Sequence, residues 1–201
     1  WAIFALALEI GGGRHAFGGS VLGIRCPVLV ICSVLVAKSA TVSHYVLCEP
    51  IPVYGTIGTF ALARNMCQDI EESFTCNVIK DKSSTVIGDQ EWRWSRTDHY
   101  VETLASRVEV GDSSMVFSAD TGPEWDVTQL GPDIGLLIAE STFLSHREKE
   151  KILHLSARQA GIMAEHANVS HLVLSHLAPG EQPSQHLQEA LSLIHISEPT
   201  R

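Results

Sequence analysis

The sequence predicts a layered α/β fold, and three observations carry that prediction. Short apolar segments with the two-residue alternation of strands recur through the middle of the chain, several of them end in a carboxylate or an imidazole, and helical patterns fall before, between and after them. "IPVYG" (51–55) reads as a short strand. "TIGTFALARNMC" (56–67) reads as a helix with Phe60, Leu62, Ala63 and Met66 on one side. A polar connection follows. "EWRWS" (91–95) alternates, which puts Trp92 and Trp94 on one face of a strand. "TLASRVEV" (103–110) and "SSMVFSA" (113–119) flank Gly111-Asp112 as a hairpin. "IGLLIAE" (134–140) has the continuous apolar run of a buried strand, and "SARQAGIMAEHA" (156–167) opens with the capping-box pattern Ser156-x-x-Gln159. "HLVLSH" (171–176) is a further apolar strand, and the last patterned element is a helix around 182–191.

At 201 residues, 45% hydrophobic and 18% charged, the chain is long enough for one domain with a sizeable core, and its composition excludes wholesale disorder. A formal net charge of −9 with no visible basic patch argues against an unspecific grip on nucleic acid. The five cysteines (Cys26, Cys32, Cys48, Cys67, Cys76) form no C-x-x-C pair and no even framework, which fits a reducing cytoplasm. "WAIFALALEI" (1–10) and "CPVLVICSVLVA" (26–37) are shorter than the roughly 20 residues of a spanning helix, so no membrane span is expected. Trp1 is not an initiator methionine and no basic region precedes the first apolar run, so no signal peptide is recognisable and the start is read as truncated or mistranslated. The glycine-rich "GGGRHAFGG" (11–19) lacks the spacing of a phosphate loop and is read as a loop or as non-native sequence. "SLIHISEPTR" (192–201) resembles translated adaptor sequence, which removes His195 from the candidate ligands.

Groups that bind metals or move protons stand at the ends of these segments: His99 in "TDHYVE", Asp120 in "SADTGP", Glu140 in "LIAEST" and His176 in "LVLSH". Strands of one sheet finish along a common rim, so side chains far apart in sequence can converge there, and His154, just before the capped helix, can join them. Imidazole nitrogen and carboxylate oxygen are the ligands of hydrolytic zinc sites. Each residue also has a plainer reading: a strand-end histidine is often a satisfied surface or core group, Asp120 suits a turn, and Glu140 suits a helix cap or solvent. His44, His146, His166, His171 and His186 have no strand-end partner and read as structural or solvated.

From about Cys32 to Leu191 the chain resembles the metallo-β-lactamase-fold hydrolases, in particular their ribonuclease Z-like branch. "PIPVYGTIGT", "DHYVETLASRVE", "VFSADTGP", "LLIAESTF" and "HLSARQAGIMAEHANVSHLVLSH" match segments of that family in the family's order. The resemblance implies an αββα sandwich with a two-zinc site, manganese being an alternative ion. It also implies metal ligation by His99, Asp120 and His176, with Asp120 bridging both ions, and catalytic support from His154 as proton donor and Glu140 as its partner. The implied reaction is hydrolysis of a phosphodiester through a zinc-bound hydroxide, with thioesters and lactones as alternative substrates of the same superfamily.

Two departures shape these expectations. The family's H-x-H-x-D-H loop is absent, and "GSVLGIRCPVLVI" (19–31) in its place contains no histidine, aspartate or glutamate. The expected organisation is therefore an unmatched segment 1–31, an N-terminally incomplete metallo-β-lactamase-like domain 32–191, and an adaptor-derived tail 192–201. A catalytically incompetent fragment of the fold is the alternative to an active enzyme. The tRNA-processing members also carry a long arm between the positions of His99 and Asp120, where this chain has only a short hairpin. The expected substrate is thus a small phosphodiester or another ester rather than tRNA, and a homodimer is left open.

Overall fold

The structure is a computed structural model that describes residues 29–30, 50–149 and 153–192. The glycine-rich segment 11–19, most of the unmatched segment 1–31 and nearly all of the tail 192–201 lie outside the described residues. The chain divides into two compact units between Val78 and Ile79.

The first unit holds a parallel three-stranded sheet, β1 (Leu29–Val30), β2 (Ile51–Gly55) and β3 (Phe74–Val78), with β2 in the middle. Helix α1 (Ile57–Met66) follows β2 after one residue, Thr56, whose hydroxyl accepts from Thr59 N as an N-cap. The short helix α2 (Ile70–Ser73) leads into β3. Val53, Phe60, Ile70 and Phe74 form this unit's core. The expected apolar side of α1 is only half right, because Leu62 and Met66 are 46% and 52% exposed while Phe60 is buried. Helical geometry explains the difference: at 3.6 residues per turn Leu62 lies about 200° around the axis from Phe60, whereas Ala63 lies within about 60° of it.

The second unit is built on a six-stranded sheet in the order β4-β5-β6-β7-β8-β9. Its strands are β4 (Ser84–Ile87), β5 (Gln90–Arg96), β6 (Leu104–Val110), β7 (Ser113–Phe117), β8 (Leu136–Glu140) and β9 (His171–Ser175). The first four are joined antiparallel, and β7, β8 and β9 run parallel. Trp92 and Trp94 share a buried face with their rings stacked at 6.2 Å, and the β6–β7 hairpin turns at Gly111, whose φ of 54° lies in the left-handed region that glycine enters most readily. The expected polar connection after α1 is in fact partly ordered into α2, β3 and β4. The pair β4–β5 turns at Gly88-Asp89 with a φ of 63° at Gly88, the same dipeptide signal that marks the later hairpin.

A parallel pair needs a crossover, and helix α3 (Ala157–His166) supplies the one between β8 and β9. Its capping box is formed: Gln159 N donates to Ser156 Oγ and Ser156 N to Gln159 Oε1. Val116, Leu137, Ala139, Leu155, Ala160, Met163 and Ala164 build a continuous apolar core between the parallel strands and α3. The final helix α4 (Pro183–Leu191) packs on α3 where Gly161 leaves no side chain. A Cβ there would stand 2.8 Å from Ala190 O. Gly161→Ala is therefore expected to lower the melting temperature, by the roughly 1–3 kcal/mol typical of overpacking, although alanine is the better helix former. An unchanged or raised melting temperature would show that α4 moves aside freely.

Candidate functional site

Strand direction decides where the candidate residues meet. Because β5 and β7 are both antiparallel to β6, they point the same way, and β8 and β9 are parallel to β7. The C-terminal ends of β5, β7, β8 and β9 therefore share one rim, which carries His99, Asp120, Glu140 and His176, and the loop before α3 brings His154 to it. The rings of His99 and His154 are 5.4 Å apart, those of His154 and His176 5.2 Å, and His176 Nδ1 lies 3.6 Å from Asp120 Oδ1. All five residues belong to the second unit.

The backbone leaves the strand pattern to make this possible. Ala119, with φ 53°, and His176, with φ 57°, both take the left-handed conformation that non-glycine residues seldom adopt. Each turn breaks the alternation at a strand exit, one residue before Asp120 and at His176 itself. The "DTGP" stretch then ties the Asp120 loop to the loop bearing His99. Thr97 Oγ1 donates to Asp120 O, Asp98 N to Thr121 Oγ1, Gly122 N to Asp98 O and Glu124 N to Asp98 Oδ2. Gly122 is required by this close approach, since a Cβ would fall 2.3 Å from Asp98 Oδ2.

Glu140 is the buried centre of the site, with its side chain 2% exposed. Its Oε1 accepts from Thr121 N at 2.5 Å and His154 Nδ1 at 2.9 Å, and its Oε2 from Thr142 Oγ1 at 2.7 Å and Leu155 N at 3.2 Å. Burial alone would raise its pKa, but the hydrogen bonds from His154 and Thr142, with the His176 imidazole 3.9 Å away, outweigh burial and hold it below the usual carboxylate value. His176 is held above the usual imidazole value by the Glu140 carboxylate, against burial, with the charge of Asp120 adding to the effect.

The hydroxyl bonds settle the tautomers. Thr142 gives its only proton to Glu140, so His176 Nδ1 must donate to Thr142 Oγ1 across 2.9 Å. Thr103 gives its proton to Val101 O, so His99 Nδ1 donates to Thr103 Oγ1 across 3.2 Å. His154 Nδ1 donates to Glu140. All three imidazoles thus have Nδ1 engaged and Nε2 left for other work, which is the arrangement that orients metal-ligating histidines. These threonines were not singled out in the sequence. Their only sequence signal is a threonine close to each candidate, a spacing too common to notice without the fold.

The donor set can be tested against a metal ion. Among the described residues, Glu140, His154 and His176 form a group with ligand atoms all within 4.8 Å of one another. Glu140 is nevertheless unsuited to ligation, because both its oxygens already accept two protein hydrogen bonds. Asp120, by contrast, is partly exposed and its backbone carbonyl, not its carboxylate, takes the bond from Thr97. His99, Asp120 and His176 are of the donor types that zinc takes, but the described residues whose ligand atoms lie within 4.8 Å of one another are those of the Glu140 group.

The comparisons with known proteins agree with this frame. No protein-family model matches the chain. The structure of the metallo-β-lactamase fold protein YhfI from Bacillus subtilis superposes with a TM-score of 0.67 at 19% identity, covering 79% of this chain and 64% of that one. Human tRNase Z, short form, gives 0.54 at 16% identity, covering 70% and 65%. The fold is that of the metallo-β-lactamases. In sequence, ribonuclease Z of Sulfurisphaera tokodaii is 37% identical over 65 residues, 32% of this chain and 22% of that protein. The probable metallo-hydrolase YhfI of Bacillus subtilis is 29% identical over 82 residues, 41% of this chain and 34% of that protein. The matched segments span no more than about a third of these curated relatives: the chain has the metallo-β-lactamase fold and is similar, over those segments, to ribonuclease Z and YhfI.

Glu140→Gln keeps the shape but places an amide NH2 against donors. Leaving a buried donor unpaired costs about 1–3 kcal/mol, so a clearly lower melting temperature is expected from thermal denaturation. A melting temperature equal to that of the parent chain would remove Glu140 from the centre of the network.

Proposed function

We propose that the chain is a metal-dependent hydrolase domain acting on phosphodiesters. The observation that supports this most is the convergence of His99, Asp120, His154 and His176 on one rim, with Nδ1 of every imidazole held by a protein oxygen. His99, Asp120 and His176 would hold the cation, zinc or manganese, which when bound supplies Lewis acidity toward the phosphoryl oxygen and makes a water a better nucleophile near neutral pH. Asp120 carries the negative charge closest to His176 and would keep the cation at the rim. His154 would give the proton of Nε2 to the leaving oxygen as the phosphorus–oxygen bond breaks, and Glu140, which accepts from Nδ1 at 2.9 Å, would hold the ring in place for that transfer. The products are an alcohol and a phosphate monoester.

The substrate is proposed to be smaller than a folded tRNA. The β6–β7 hairpin with its turn at Gly111 and Asp112 takes up most of the chain between His99 and Asp120, and the formal net charge is −9.

Three measurements test this reading. Elemental analysis of the chain is expected to find fewer than two zinc ions, since three proposed donors are at hand among the described residues, and Asp120→Asn is expected to lower that content and abolish most diester turnover. His166→Asn, exposed at the end of α3, should change neither. Equal metal content and turnover in Asp120→Asn and the parent would overturn the metal assignment. For His154→Ala, turnover of a dialkyl diester should fall by about 10²–10⁴, and that of a p-nitrophenyl diester much less, because p-nitrophenolate departs without a proton. Equal losses on both substrates would mean that His154 does not protonate the leaving group.

A further inference from the structure

We propose that Tyr100 is a specificity-determining residue: its ring is a platform beside His99 on which a flat, uncharged aromatic ester group of the substrate stacks, the group that the phosphorus retains. Tyr100 is 75% exposed and its neighbour Val101 57%, and Tyr100 is the most exposed large apolar side chain among the described residues. Apolar side chains exposed singly are ordinary and need no explanation. These two are adjacent, and they directly follow a histidine of the rim. The rings of Tyr100 and His99 are 4.3 Å apart and tilted by 33°, so the phenol leans on the imidazole while most of its surface stays open.

The loop that carries the pair is tied shut behind it. Thr97 N donates to Thr103 O at 3.0 Å, His99 N to Thr97 O at 3.1 Å and Thr103 Oγ1 to Val101 O at 3.0 Å. Thr103 Oγ1 also accepts from His99 Nδ1, and Thr97 Oγ1 donates to Asp120 O, which braces the loop against the Asp120 turn. A tip free to move would fold its apolar side chains back against the sheet. These bonds instead hold Tyr100 and Val101 in water, a preorganised surface that a ligand can cover without first ordering it.

The chemistry of the tip selects the kind of group that covers it. The donors Thr97 N and His99 N and the Thr103 hydroxyl are already used within the loop, and its two carboxylates, Asp98 and Glu102, would repel an anion. A phosphate therefore gains nothing here. An aromatic group gains the face of the phenol and the side of Val101, because aromatic rings attract one another in offset or tilted stacks beyond the area they bury.

The ring contacts name the side of the substrate. The leaving oxygen lies at His154, whose ring meets those of His99, Phe143 and His176, whereas the Tyr100 ring meets only that of His99 among the described residues. The group on Tyr100 is therefore the one that stays on phosphorus. This assignment rests on the proposed reaction and on the role of His154 in it, and the test keeps the ideas apart.

Two diesters with one leaving group supply the test, phenyl p-nitrophenyl phosphate and methyl p-nitrophenyl phosphate. Water adds to phosphorus, p-nitrophenolate departs, and the products are phenyl phosphate and methyl phosphate. In the full chain with zinc, KM is expected to be about fivefold lower for the phenyl diester, and calorimetric titration to show phenyl phosphate binding about fivefold more tightly than methyl phosphate. Tyr100→Ala should bring both ratios close to one, Tyr100→Leu should lose most of each, and Tyr100→Phe should keep them. Val86→Ala, exposed on β4, should match the parent. A purely structural role for Tyr100, such as supporting His99, would shift both members of each pair alike and leave the ratios unchanged. Ratios equal in the parent and Tyr100→Ala, a parent without preference, or no detectable binding of either monoester would overturn the platform. Circular dichroism checks folding, and Tyr100→Leu carries the test if Tyr100→Ala does not fold. A phenyl preference in binding that needs Tyr100, with no turnover of either diester at any zinc concentration, would sink the proposed reaction and leave the platform standing. Turnover of both diesters without a Tyr100-dependent preference would do the reverse.

Discussion

The carboxylate of Glu140 is the interaction on which the site depends. A buried carboxylate without partners is too costly to keep ionised, and this one is kept by hydrogen bonds from Thr121, Thr142, His154 and Leu155. Those partners come from the loop after β7, the exit of β8 and the loop before α3. Satisfying one buried charge therefore fixes the relative positions of three segments. Thr142 passes the order on to His176, whose ring orientation follows from a proton that the threonine has already given away. The chemistry of the rim is thus set one bond behind the groups that would perform it.

Above this network the sheet supplies direction and the loops supply aim. The parallel strands β7, β8 and β9 and the alternate strand β5 all deliver their exits to one side, and the two left-handed residues at Ala119 and His176 turn the chain out of the pleat at the points where a side chain has to face the rim. Such conformations are retained where surrounding bonds overdetermine them. Here the bonds between Thr97, Asp98 and residues 120–124 do so, which explains why a threonine and a glycine follow Asp120.

The site has two unequal sides. Toward Asp120 and His176 it offers acceptors and free imidazole nitrogens, the surroundings of a cation. Toward Phe143 it carries the Arg147 guanidinium, 4.1 Å above the ring, and the Glu148 carboxylate that pairs with Arg158. His154 stands between them with its Nδ1 on Glu140, so that one ring touches both environments. A phosphodiester places a scissile phosphorus and a leaving oxygen in the same order, and that correspondence links the shape of the rim to the reaction proposed for it.

Alternation, turn dipeptides and the capping box are local, and so the strands at 51–55, 91–95 and 134–140, the Gly111 hairpin and the helix opening at Ser156 were all legible in the sequence. The strand-end positions of His99, Asp120, Glu140 and His176 were legible for the same reason. β3 and β4 were not, because short strands in polar sequence are stabilised by their neighbours more than by their own pattern. Nor was the inward stripe of α1, where Leu62 looked like core and faces outward. The tertiary structure alone decided that four strand exits share a rim, that Glu140 serves as an acceptor of protein hydrogen bonds, and that Arg147 lies over Phe143 beside His154. Each of these depends on which strands run parallel and on hydrogen bonds between residues far apart in the chain, and neither leaves a mark on the spacing of side chains along it.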